Sequence, residues 1–240
     1  MSKRAVILAG GKGTRLKPYT VVLPKPLMPI GNYPILEVIV RQLAKNNFDH
    51  ITMSVNHQAE IIKAFFGDGS KWGIKIDYSL EDKPLSTMAP LKFINDLPEN
   101  FVVMNGDILT DLDYFDFLEY HCKNNNLFTV SSFAKNMRSE YGVLEINENN
   151  EIIHFQEKPV IKQHVSMGVY ALNKKVLDII PYNQSYGFDD IMYHFLRTEN
   201  WVSAKNHYGY WLDIGNPNDY MLAIDLFENN KEIFLEGTIL

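Results

Sequence analysis

Cysteine is nearly absent: Cys122 stands alone in 240 residues, so no disulfide can form within the chain and a reducing, cytoplasmic setting is expected. Basic clusters are missing as well. No run of Lys and Arg exceeds a pair such as Lys174-Lys175, and 23 Lys+Arg against 29 Asp+Glu give a net charge of −6. That is the wrong sign and distribution for a nucleic-acid partner. No apolar stretch approaches the roughly 18 residues that would span a membrane. The first apolar run, Ala5 to Ala9, stops at Gly10-Gly11, short of the roughly 7–15 residues of a secretory signal. The seven histidines include no i, i+4 pair, which leaves a zinc site or a Ser/His/Asp triad unsupported. With no Gly/Pro/Ser-rich linker, repeat or low-complexity tract, one domain over residues 1–240 is expected.

What is present is a core-forming composition, 46% hydrophobic and 22% charged. Short β-branched runs at 5–8, 51–55, 74–79 and 101–104 alternate with helical spacing at 35–46, 60–66 and 91–96. This βαβ rhythm predicts an α/β fold with a mainly parallel sheet covered by helices on both faces. Beyond residue 110 the rhythm loosens. Strands are predicted at 128–133, 142–146 and 152–156, and helices at 174–180, 189–197 and 218–228. Residues up to about 110 read as a nucleotide-binding part, and about 111–240 as a second part set over it.

The densest chemistry follows the first strand: Leu8-Ala9-Gly10-Gly11-Lys12-Gly13-Thr14-Arg15-Leu16. Three glycines allow the backbone to approach a bulky anion and present N–H groups to it, while Lys12 and Arg15 add charge. The spacing is neither a Walker A loop nor a dinucleotide fingerprint. In Pro24-Lys25-Pro26 the prolines restrict the backbone around a cation, a site for an anion if the glycine loop lies beside it and otherwise an exposed lysine. Asn105-Gly106-Asp107 closes a buried strand, where a carboxylate suits Mg²⁺ on a nucleotide's phosphates or, equally, an Asx-turn or helix cap. Asp213 in Leu212-Asp213-Ile214-Gly215 repeats that context, and one Mg²⁺ usually takes one or two protein carboxylates. Glu157-Lys158 offers a hydroxyl acceptor and a phosphate-binding cation, or a common surface pair. Ser166-Met167-Gly168-Val169-Tyr170 reads as a pocket wall or a core strand.

Taken in order, the glycine loop, Pro24-Lys25-Pro26, Pro84-Leu85-Ser86-Thr87, Asn105-Gly106-Asp107, Tyr141-Gly142-Val143, Glu157-Lys158-Pro159 and Trp211-Leu212-Asp213-Ile214-Gly215 resemble the sugar-phosphate nucleotidylyltransferases. The resemblance runs from about residue 4 to 225. It implies a Rossmann-like three-layer sandwich of the nucleotide-diphospho-sugar transferase type, with a mixed, mainly parallel central sheet. It also implies transfer of a nucleotidyl group from a nucleoside triphosphate to a sugar 1-phosphate, releasing pyrophosphate and serving cell-surface polysaccharide synthesis, in a monomer or homodimer. Carried over by position, Leu8, Ala9, Gly10, Gly11, Lys12, Gly13 and Thr14 cradle the triphosphate. Glu81, Pro84, Ser86 and Thr87 lie against the base. Arg15, Lys25 and Asp107 are catalytic, with Arg15 on the departing pyrophosphate, and Asp107 and Asp213 hold Mg²⁺. Gly142, Glu157, Lys158 and Gly168 form the sugar-phosphate side.

The lead-in Glu81-Asp82-Lys83-Pro84-Leu85 resembles the guanylyltransferases that activate mannose- or heptose-type phosphates, which favours GTP over UTP, dTTP or CTP. Many members of the family read Gly-Thr-Ala-Gly or Gly-Thr-Gly-Gly where this chain has Ser86-Thr87-Met88-Ala89. The serine is expected to push the base outward or bond it, and Met88 to offer a tolerant apolar surface. Two alternatives stand beside this reading. Asp111-Leu112-Asp113 is the Asp-x-Asp of metal-dependent glycosyltransferases, and a non-catalytic nucleotide-sugar-binding subunit could keep the fold.

Overall fold

The computed structural model describes residues 3–11, 13–56, 58–198 and 200–235. Strand β1 (Arg4–Leu8) is followed by a short hairpin of β2 (Pro29–Ile30) and β3 (Tyr33–Pro34), then by α1 (Ile35–Lys45), β4 (His50–Val55), α2 (Ala59–Phe66) and β5 (Lys75–Leu80). Next come β6 (Asn100–Asn105), β7 (Ile108–Thr110), α3 (Tyr114–Lys123), β8 (Phe128–Arg138), β9 (Val143–Ile146), β10 (Ile152–Gln156) and β11 (Val160–Asn173). Helix α4 (Phe188–Arg197), strands β12 (Ser203–His207) and β13 (Trp211–Asp213), and helices α5 (Pro217–Asn229) and α6 (Lys231–Leu235) complete the described elements.

Seven strands form the central sheet in the order β12-β8-β11-β6-β1-β4-β5. Only β11 runs against its neighbours, so the sheet is mixed and mainly parallel as expected. Its central strands are buried on both faces, and their side chains alternate between two cores. Ala5, Ile7, Val102, Met104, Val169 and Ala171 face the core capped by α1, α2 and α3. Val6, Phe101, Val103, Tyr170 and Leu172 face the core capped by α4. The result is three layers.

A third core lies off the sheet and anchors the site. Leu16 from the end of the glycine loop, Met28 just past Pro26, and Ile214 just past Asp213 pack together with Tyr220, Ala223 and Phe227 of α5. Three chain segments are thereby held at one place by apolar burial, worth about 1.5–3 kcal/mol for each large side chain.

Several elements differ from the sequence reading. The predicted helices at 91–96 and 174–180 are short 3₁₀ segments over Ala89–Phe93 and Lys174–Ile179; their shortness suits the tighter winding. Helix α3 was not expected, although Tyr114, Phe117, Leu118 and His121 carry helical spacing and Asp113 caps it. Strand β11 is masked in sequence by a polar first half, whose residues extend past the core, and by Gly168 at φ +74°.

Candidate active site

The strand order reverses at β1, which has β4 on one side and β6 on the other, all parallel. A crevice opens there, outside the carboxyl ends of the strands, where ligands of open α/β sheets gather. It is a cleft of about 540 Å³. Of the residues expected on the nucleotide side, Leu8, Gly10, Gly11, Glu81, Pro84, Ser86 and Thr87 line it, together with Asp107. Leu85 and Asn105, which stand within the quoted motifs without an assigned role, also line it, as does Asn56, which was not anticipated. Asn56 follows β4 directly, so its place after a predicted strand was the available signal. Ala9 is buried, and its N–H donates to the Ser54 carbonyl at 2.8 Å, so it anchors the loop rather than facing the cleft. Lys12 lies outside the described residues.

Glycine is favoured at two points in the loop. A Cβ on Gly10 would stand 3.2 Å from Glu81 Oε1 and 3.3 Å from Asn56 Nδ2, so those side chains would have to give by a few tenths of an ångström. Gly13 adopts φ +59°, and a Cβ there would press on Thr20 Cγ2 at 2.9 Å and Lys25 Cβ at 3.1 Å. The second contact places the proline-flanked lysine beside the glycine loop, the condition under which it reads as functional. Thr14 and Arg15 lie in a 3₁₀ turn that starts from Gly13.

Asp107 and Asp213 meet through a short ladder. Strand β13 pairs antiparallel with β7, setting Asp213 opposite Ile108, and the Ile214 N–H donates to the Asp107 carbonyl at 3.1 Å. Lys25 reaches both: its ammonium pairs with the Asp107 carboxylate and stands 3.9 Å from Asp213. Burial, and next the Asp107 charge, push the Asp213 carboxyl above its ordinary range, against the pull of Lys25 and Arg15. Arg15 flanks this pair: a Cβ on Gly215 would lie 3.3 Å from Asp213 Oδ2 and 3.5 Å from Arg15 Nη2. No group of three or more His, Cys, Asp or Glu is poised for a metal among the described residues. Two convergent carboxylates fit Mg²⁺, which keeps most of its shell for water and phosphate, better than zinc.

The sequence matches the nucleotidyl transferase family over residues 4–230. The chain belongs to that family. It is 34% identical over 241 residues to a UTP–glucose-1-phosphate uridylyltransferase from Synechocystis sp., covering 92% of this chain and 62% of the relative. It is 32% identical over 232 residues to a mannose-1-phosphate guanyltransferase from Yarrowia lipolytica, covering 93% of this chain and 64% of that protein. The chain thus spans under two thirds of these relatives' length. Among solved structures, HddC from Yersinia pseudotuberculosis complexed with GMP-PN superposes with a TM-score of 0.73 at 27% identity, covering 94% of this chain and 99% of that one.

The wall facing the glycine loop is built on Glu81. Ser54 Oγ donates to its Oε1 at 2.6 Å, and burial raises its carboxyl above the ordinary range while Ser54 and the Leu85 backbone oppose that shift. The adjoining segment is pinned to the start of α4. Phe188 N–H donates to Thr87 Oγ1 at 2.8 Å, Tyr186 N–H to the Leu85 carbonyl at 3.0 Å, and Met88 N–H to the Tyr186 carbonyl at 3.0 Å. One expectation is corrected here. Met88 is fully buried in the core under α4 and presents no surface to a base. Ser86 lines the cleft, and its Oγ lies 2.9 Å from where a Cβ on Gly187 would stand.

Ser86 also holds φ +68°, a left-handed conformation costing a side-chain-bearing residue roughly 1–2 kcal/mol. Ser86→Gly relieves it but adds unfolded-state entropy of about 0.4–1 kcal/mol. A net gain of about 0.5–1 kcal/mol is expected, read by calorimetry as a Tm higher by about 1–3 °C. A lower Tm would mean that the hydroxyl contact with Gly187 outweighs the strain.

The residues expected on the sugar-phosphate side are grouped only in part. Gly142 abuts Glu157, whose Oε2 would lie 3.0 Å from a Cβ at 142. Gly168 lies against the Asn105 side chain on the cleft wall, a Cβ there falling 2.6 Å from Asn105 Nδ2. Glu157 and Lys158 are exposed, and no ion pair among the described residues joins them to Asp107 or Asp213. The Asp-x-Asp pair has structural work instead. Asp111 accepts from Tyr210 N–H at 2.6 Å and pairs with the His207 ring at 2.8 Å, and Asp113 caps α3 by accepting from Asp116 N–H at 2.8 Å. That occupation removes the geometric basis for a glycosyltransferase metal pair.

Proposed function

We propose that this chain transfers a nucleotidyl group from a nucleoside triphosphate to a sugar 1-phosphate, with GTP preferred and Mg²⁺ held by Asp107 and Asp213. The observation that carries the reading is the convergence of Asp107, Asp213 and Lys25 at the strand switch point, beside a glycine loop that ends in Arg15. An oxygen of the sugar phosphate attacks the α-phosphorus, the bond from that phosphorus to the bridging oxygen of the β-phosphate breaks, and pyrophosphate leaves with the electron pair. The nucleophile is already ionised at pH 7. No general base is needed. Bound Mg²⁺ supplies charge neutralisation on the phosphate oxygens. Arg15 stabilises charge on the leaving pyrophosphate, Lys25 neutralises the triphosphate, and Lys158 captures the sugar's phosphate from the Gly142–Glu157 side.

The relatives divide between guanyl and uridylyl transfer, so the base preference rests on Glu81. A half-buried carboxylate offers acceptors only, and guanine presents N1–H and N2–H₂ as adjacent donors. Uracil and thymine offer a single N3–H, flanked by two carbonyl oxygens that repel a carboxylate. Pyrophosphate release from each nucleoside triphosphate crossed with a panel of sugar 1-phosphates, mannose and heptose types included, tests the reading. GTP is expected to lead, and Glu81→Gln to reduce the GTP-over-UTP ratio of kcat/KM by about 10–100-fold, the loss of one or two buried polar contacts. Faster turnover of UTP or dTTP, or a ratio indifferent to Glu81→Gln, would overturn the base assignment.

A further inference from the structure

Lys25 is an unusual phosphate ligand, because its ammonium is already committed. Its side chain is only 11% exposed, and among the described residues its charged partners are Asp107 and Asp213 alone. A buried ammonium requires such pairing. The same two carboxylates are the metal seat in the reading above, on which this inference rests. A divalent cation and an ammonium cannot comfortably share one carboxylate.

The backbone of Lys25 cannot move aside. It is locked in a turn by Leu27 N–H to the Pro24 carbonyl at 2.8 Å and Met28 N–H to the Lys25 carbonyl at 3.0 Å, with Pro24 and Pro26 on either side and Gly13 against its Cβ. Only the side-chain stem can swing. The neighbour it can swing toward is the glycine loop packed on its Cβ, the seat of a triphosphate. We propose that Lys25 competes with a divalent cation for the Asp107–Asp213 seat and yields it when a nucleotide's phosphates take over its ammonium. Lys25 thereby couples nucleotide binding to metal binding, and by linkage the coupling acts in both directions. Metal alone binds weakly, and the cleft does not fill with cation before nucleotide arrives.

Binding of Mn²⁺ in the absence of nucleotide tests this, followed by the EPR signal of free Mn²⁺ on the whole chain. Lys25→Met is expected to bind Mn²⁺ about 10-fold more tightly than the native chain, within the roughly 5–150-fold range of ordinary couplings. Lys25→Gln, neutral but still polar, should do the same if the methionine variant folds poorly, and Lys25→Arg should stay weak. Arg15→Met removes an equal charge from the other flank of Asp213 and should have a much smaller effect. Equal gains in Lys25→Met and Arg15→Met would reduce the effect to the general field and overturn the proposal, as would unchanged affinity in both neutral Lys25 variants. Adding Asp213→Asn to Lys25→Met should abolish the gain. If Mn²⁺ binding ignores Asp213→Asn in every background, the metal assignment itself fails, a result distinct from failure of the lysine's role.

Discussion

Asp107→Asn and Asp213→Asn are each expected to lower kcat by about a thousandfold, roughly 4 kcal/mol of transition-state stabilisation, while leaving the fold intact. The two carboxylates converge on one cation position, and neither reaches the core: Asp107 is 18% and Asp213 44% exposed at the side chain. An amide of equal size keeps the packing but loses the charge and half of the metal-binding capacity. Asp213→Asn should relieve repulsion from Asp107, which already pushes Asp213 upward after burial, so thermal stability should hold or rise. Steady-state kinetics over a range of Mg²⁺ concentrations, with a melting curve beside them, checks both statements. A variant with near-native turnover and unchanged metal dependence would remove the assignment.

Arg15→Ala is expected to slow the chemical step by about 100–1,000-fold, the loss found when one charge-stabilising donor is removed from a reacting centre. Lys158→Ala should instead raise the KM for the sugar phosphate with a smaller change in kcat, because its contact is present before and during reaction. A pH signature accompanies the first variant. Asp213 must be ionised to bind a cation, and Arg15 is one of two cations that lower its carboxyl. Removing Arg15 raises that carboxyl further, so activity should fail at a higher pH as the solution is acidified. An acid limb of the pH–rate profile that stays in place, or both variants changed only in nucleotide affinity, would contradict this division of roles.

Much of this was legible along the chain because it is local. The unbroken apolar runs of β1 and β6 announce strands buried on both faces, and the glycines of the first loop and the prolines around Lys25 mark where the backbone turns. The order of the family's motifs then indicated the fold. Contacts through space were not legible. That Asp213 lands beside Asp107 depends on the register of β13 against β7, and that Lys25 sits between them depends on Leu16, Met28 and Ile214 sharing a core with α5. Met88 was misjudged for the same reason. Its neighbours in sequence suggested a base-facing loop, but packing under α4 drew the thioether into the core. Asp111 and Asp113 formed a plausible metal pair until His207, Tyr210 and the first turn of α3 claimed them. Periodicity and special residues specify elements and loops, because those follow from sterics and solvation within a few residues. Which polar groups end up facing one another is set by how the layers pack, and only the folded chain contains that information.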